Sequence, residues 1–141
     1  MIVYRVEGFS HKLNRYVGPY NENKIDIPNI YDLNFQHWSY HKGPYSDGID
    51  IDKITKNHIF GFQSITLFYR WFEDNEILEK MSKYYQLSIY HISDVDIMFG
   101  HRQVVFIQEK SRLVDRIPIL TDQEKCRNLI REILEIHENG D

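Results

Sequence analysis

The chain carries a single cysteine, Cys126, so no disulfide can form within it, which fits a reducing compartment. It has no apolar run long enough to cross a bilayer and no leader pattern, and the expectation is a cytoplasmic protein. Basic residues are not in excess: 17 Lys and Arg stand against 21 Asp and Glu, for a formal net charge of −4. A general nucleic-acid binder needs the opposite balance to neutralise phosphates, so that class is excluded, while a local basic pocket for a small phosphate ligand is not. Glycine is sparse at seven, Gly61 stands alone, and neither a P-loop nor a dinucleotide fingerprint can be written. His37 and His41 are four apart, but Gly43-Pro44 breaks any helix just beyond them, and no His-Glu-x-x-His or paired Cys exists. The run from Asp47 to Asp52 lacks the spacing and terminal Glu of a calcium loop, so no metal site is expected.

Aromatic residues are abundant instead: ten Tyr, eight Phe and two Trp make 14% of the chain. Such rings either fill a core or line a groove that stacks on flat ligands. At 141 residues one domain spanning 1–141 is the economical reading, with antiparallel strands and helices segregated in an α+β arrangement. Ile2 to Glu7 reads as a strand with Ile2, Tyr4 and Val6 on one face and Val3, Arg5 and Glu7 on the other. From Phe9 to about Asn57 no period persists, and Pro19, Pro28 and Pro44 punctuate it. It reads as a long aromatic loop with a helical turn around Tyr31 to Trp38, and loops of that length often bind or cover ligands.

Ser64 is placed to cap a helix whose Ile65, Phe68, Tyr69 and Phe72 form one apolar stripe. Asp74 or Asn75 caps a second helix bearing Ile77, Leu78 and Met81. Leu87 to Ile97 reads as one strand, with Gln103 to Gln108 returning after Gly100-His101 as its hairpin partner. Leu113 to Leu120 is extended and ends near Pro118, as an edge strand would. Thr121-Asp122-Gln123-Glu124 reads as a capping box for a C-terminal helix with an apolar stripe through Leu129, Ile130, Ile133, Leu134 and His137. A terminal amphipathic helix of this kind is easily shared, so a homodimer contact is expected there.

Three polar residues make a coherent chemical set. Arg5 on a strand can clamp a pyrophosphate, and Ser64 at a helix N-terminus can hold a ribose. Gln103, opening a late strand, would face the scissile carbon of a glycoside. A glutamate there would stabilise developing positive charge, whereas Gln keeps the hydrogen bond and lacks the charge. Cys126 sits on the apolar side of its helix and is read as a buried thiol, not a nucleophile.

The run Val3-Tyr4-Arg5-Val6-Glu7, then Gly18-Pro19-Tyr20, then His41 with Pro44 and Asp47, resembles a family of small phage and prophage proteins. The resemblance continues through Phe60-Gly61-Phe62-Gln63-Ser64, Trp71-Phe72, a Tyr90-centred strand, and Gly100 followed by Gln103-Val104-Val105-Phe106. More remotely, the order of elements is similar to the ADP-ribosyltransferase fold, which implies a small split antiparallel sheet clasping NAD. Arg5 and Ser64 match that superfamily's early positions, and Gln103 departs from its catalytic Glu.

The resemblance implies a phage-encoded protein in the host cytoplasm that binds an NAD- or ADP-ribose-type nucleotide and blunts a host defence. Arg5, Tyr20, His41, Tyr45, Ser64 and Gln103 are its expected ligand contacts. Two alternatives stand beside it: an active mono-ADP-ribosyltransferase, and an inhibitor that docks its aromatic loop on a host defence protein.

Overall fold

β1, Ile2–Ser10, is the strand on which everything else is built. Its apolar residues alternate as expected, but the strand runs on beyond Glu7 and turns back as β2, Arg15–Val17, with Phe9 opposite Tyr16. The sequence reading missed this hairpin because its turn has no Gly. Asn14 takes the left-handed conformation there at φ 53°, which an Asn tolerates. The turn is pinned from within and from outside: Ser10 Oγ accepts from the Leu13 amide at 3.1 Å and donates to Asp26 at 2.6 Å.

The structure is a computed structural model that describes residues 1–20, 26–33, 48–49, 51–55 and 57–140. After β2 comes a short helix, α1 (Ile30–Leu33), at the start of the expected Tyr31 to Trp38 turn, whose remainder lies outside the described residues. Then follow β3 (His58–Gly61), α2 (Ile65–Trp71), α3 (Asn75–Ser82), β4 (Gln86–His91), β5 (Ile97–Phe99), β6 (Val104–Ile107), β7 (Arg112–Pro118) and α4 (Gln123–Gly140).

Two small antiparallel sheets result, ordered β2-β1-β4-β7 and β3-β6-β5. They meet where Tyr4 and Phe62 exchange backbone hydrogen bonds of 2.8 and 2.7 Å, so the sheet is split but hinged on β1. The expected single strand from Leu87 to Ile97 is therefore two strands in different sheets. A helical turn at Asp94–Asp96, closed by the Asp96 amide on Ser93 O at 2.9 Å, redirects the chain between them. β6 accordingly pairs with β5 rather than with β4.

Alternation on β1 divides the apolar residues into two clusters. Tyr4 and Val6 face α2, α3 and α4, where Phe68, Phe72, Leu78, Met81 and Tyr85 are buried. Val3 faces the other way and packs with Tyr90, Ile92, Ile97, Val104 and Phe106 against the second sheet. Each helix begins at an oxygen acceptor. Ser64 takes the Leu67 amide at 3.1 Å and Asp74 the Glu76 amide at 2.9 Å. For α4 the cap is Asp122, which accepts from Lys125 N at 3.1 Å, and not Thr121 of the expected capping box. A carboxylate is the better acceptor beside the positive end of a helix dipole.

Candidate functional site

The face of the first sheet that turns away from the helices carries charge. Backbone register lines up Arg5, Ser88 and Arg116 across β1, β4 and β7. Glu7 shares that face two residues beyond Arg5, and its side chain is only 1% exposed. A buried carboxylate must be met by donors, and here it has three. Arg5 Nε donates to Oε2 at 3.1 Å, the Tyr90 hydroxyl donates to Oε1, and Arg116 Nη2 lies 3.6 Å from that same oxygen. Gln108 donates to the Tyr90 oxygen at 3.2 Å. Burial and the adjacent Glu7 carboxylate push the Tyr90 pKa up to about 12, so the phenol stays a proton donor.

The two guanidiniums are held by more than Glu7. Arg5 Nη1 donates to Phe60 O of β3 at 2.8 Å, which ties the first sheet to the second. Arg116 Nε donates to Ser88 Oγ at 3.1 Å, and its Cζ sits 3.5 Å from the centre of the Tyr16 ring. One arginine of β7 thus reaches across β4 and β1 to a ring on β2. Tyr16 meets Phe9 edge-on at 5.2 Å, and Phe9 meets His11 at 5.1 Å, so three rings continue the face beyond the arginines. Gly18 passes directly over Arg5: a Cβ there would stand 2.8 Å from Nη2, so a larger residue would have to push the guanidinium aside.

Two positive charges oppose one negative charge, in side chains that retain 11% and 21% exposure. Arg5 Nη2 and Arg116 Nη1 have no hydrogen-bond partner among the described residues. The centre therefore has donors and one unit of positive charge in excess, which is the electrostatic condition for an anion.

The expected site residues are placed as follows. Arg5 is in this centre, engaged by Glu7 and Phe60. Ser64 caps α2. Gln103 is buried at the entry to β6, where its carbonyl accepts from Gly100 N at 2.9 Å and closes the β5–β6 turn. The Tyr4–Phe62 and Gly61–Val104 pairings set Gln103 beside the Tyr4–Phe62 row, one residue along from Arg5, while Ser64 lies two residues beyond Phe62 and away from Arg5. Alternation separates the side chains: Val104 packs with Val3 on the face of Arg5, and Gln103 falls with Val105 on the other. Tyr20 accepts from Trp71 Nε1 at 2.6 Å, while His41 and Tyr45 lie outside the described residues. Glu7, Tyr16, Tyr90 and Arg116 were missed, although Glu7 at two residues from Arg5 on a strand was a legible signal.

Among the described residues, shallow cavities lie elsewhere. One of about 640 Å³ is lined by His91, Asp94, Lys110 and Arg112, another of about 370 Å³ by Tyr4, Ile65 and α4. Among the described residues no group of three His, Cys, Asp or Glu could hold a metal ion. No described helix is long and apolar enough to cross a membrane.

The family model described as Bacteriophage T4 Y00F protein matches residues 1–120. The chain belongs to that phage protein family. The match takes in both sheets and the two-arginine face, and it ends before α4. No curated protein and no solved structure matches the chain, so no comparison shows the expected likeness to ADP-ribosyltransferases.

Proposed function

We propose that this phage protein acts by binding a small anionic nucleotide of the NAD or ADP-ribose class on the two-arginine face. The observation that carries the reading is the charge count, two guanidiniums around one buried carboxylate. Phosphate oxygens would meet Arg5 and Arg116, and the base would lie along Phe9 and Tyr16. In a phage-encoded protein, holding such a molecule blunts a host defence that signals through it. The carboxylate of this face, Glu7, is taken up by Arg5, Arg116 and Tyr90 and is not poised to stabilise an oxocarbenium-like transition state, so the reading is of a binder that does not turn NAD over.

The test is a thermal-shift panel with NAD, ADP-ribose and inorganic pyrophosphate, run on the natural protein and on Arg116→Ala. A ligand at one hundred times its Kd stabilises the folded state by about 2.7 kcal/mol, a shift of several degrees. That shift should appear with a nucleotide and vanish in Arg116→Ala. Release of nicotinamide by the unaltered protein would replace the binder with an active mono-ADP-ribosyltransferase.

A second reading has its own observation. Val95 is 89% exposed and Phe99 47%, both at or beside the free edge of β5, and such apolar exposure suits a protein contact. Under that reading the chain is an inhibitor of a host enzyme. It predicts no shift with any nucleotide and loss of inhibition in Val95→Asp.

A further inference from the structure

On the helix-covered side of the sheet, opposite the arginines, α4 leaves one flank uncovered. A groove of about 370 Å³ runs along it, with Tyr4 and Ile65 on one wall and Ile130 and Leu134 on the other. The same flank carries four charges in a fixed order: Arg127 and Arg131 first, Glu135 and Glu138 after. Spacings of three and four residues put them on one side of the helix. Arg127 reaches Thr66 at 3.1 Å. The exposed side chains of Arg131, Glu135 and Glu138 have no hydrogen-bond or ion-pair partner among the described residues.

A helix flank that is basic in its first half and acidic in its second is complementary to itself when reversed. We propose that a second copy of this chain covers the groove, with the two α4 helices antiparallel about a two-fold axis. Such an interface is isologous, so each contact occurs twice. Arg131 of each copy faces Glu135 of the other, and Arg127 faces Glu138. Ile130 and Leu134 meet their counterparts at the centre and close the groove against Tyr4 and Ile65. Antiparallel packing also sets each helix's positive end beside the other's negative end. A parallel pair would oppose like charges along the whole flank, which is strongly unfavourable. The dimer lies on the opposite side of the sheet from the two arginines, so it is independent of ligand binding.

Sedimentation velocity of the full chain over a concentration series tests this directly. The natural protein should show a concentration-dependent dimer. Arg131→Glu and Glu135→Arg should each raise the dimer dissociation constant by about tenfold or more, because each sets like charges face to face twice. An equimolar mixture of the two single variants should dimerise again, since one then presents only Glu and the other only Arg at the paired positions. The double variant Arg131→Glu/Glu135→Arg should likewise recover. Both positions are exposed, and unchanged circular dichroism verifies that each variant is folded. A monomer at every concentration overturns the proposal, and so does a dimer that neither single variant weakens. Failure of both the mixture and the double variant to recover overturns it as well.

Discussion

Glu7 is the residue on which the charged face depends. It is the one carboxylate between two guanidiniums, and Tyr90 completes its shell. Glu7→Gln keeps the shape and the Tyr90 contact but leaves both arginines without a counter-charge. Removing one member of a buried ion pair costs about 3–5 kcal/mol, and the residual exposure of Arg5 and Arg116 puts this case at about 3. Urea unfolding should register that loss. The same change raises the positive excess from one to two, so affinity for pyrophosphate should rise while stability falls. Opposite signs in the two measurements distinguish an anion site from a purely architectural ion network. Weaker pyrophosphate binding by Glu7→Gln would leave the network architectural. The centre was only half legible in the sequence. Arg5 and Glu7 are neighbours on one strand face, but Arg116 joins them only through a strand register that no local pattern encodes.

Elements were more legible where a cap and an apolar stripe agreed. Ser64 and Asp74 cap α2 and α3 as their positions suggest, and Ile65, Phe68, Tyr69, Ile77, Leu78 and Met81 are buried. At α4 two signals overlapped by one residue. Thr121 with Glu124 satisfies the capping-box pattern, yet Asp122 makes the contact. Asp122→Ala should therefore cost about 1 kcal/mol, and Thr121→Ala a few tenths at most. The reverse ranking in thermal unfolding would restore the capping box. The β1–β2 hairpin was hidden because its stabilising partner, Asp26, is distant in sequence. Bonds from Ser10 Oγ and the His11 amide hold the Asp26 carboxyl below its usual pKa. A depressed carboxylate contributes stability above its unfolded pKa, near 3.9, and that stability is lost as pH falls through the folded value. Asp26→Asn should thus lower the urea midpoint at neutral pH, and the gap should close as pH falls below the unfolded value of about 3.9. A gap unchanged at acid pH would remove the charge from the explanation.

At the scale of the whole molecule, β1 belongs to both apolar clusters. Tyr4 and Val6 enter the helix-side cluster, Val3 enters the cluster between the sheets, and Tyr4 also forms the bridge to Phe62. The split in the sheet followed a turn at Asp94–Asp96 that carries no Gly or Pro, which is why the sequence read through it as one strand. A sheet divided this way could come apart in two steps if its halves were separately stable. The second cluster is too small for that, with Val3, Tyr90, Ile92, Ile97, Val104 and Phe106 as its buried members. Two of these six sit on strands of the first sheet, so removing that sheet strips the cluster of its floor. The chain should unfold as one cooperative unit. Phe68→Ala on the helix side and Phe106→Ala between the sheets should each cost about 3–5 kcal/mol. Both should shift a single urea transition to lower midpoint with its slope unchanged. The probes for this are the tryptophans, both of which precede β4 in sequence, and far-ultraviolet circular dichroism, which reports α4 and the strands together. If Phe106→Ala lets the circular-dichroism signal change before the fluorescence does, the second sheet is a separable unit, and one domain is the wrong description of residues 1–141.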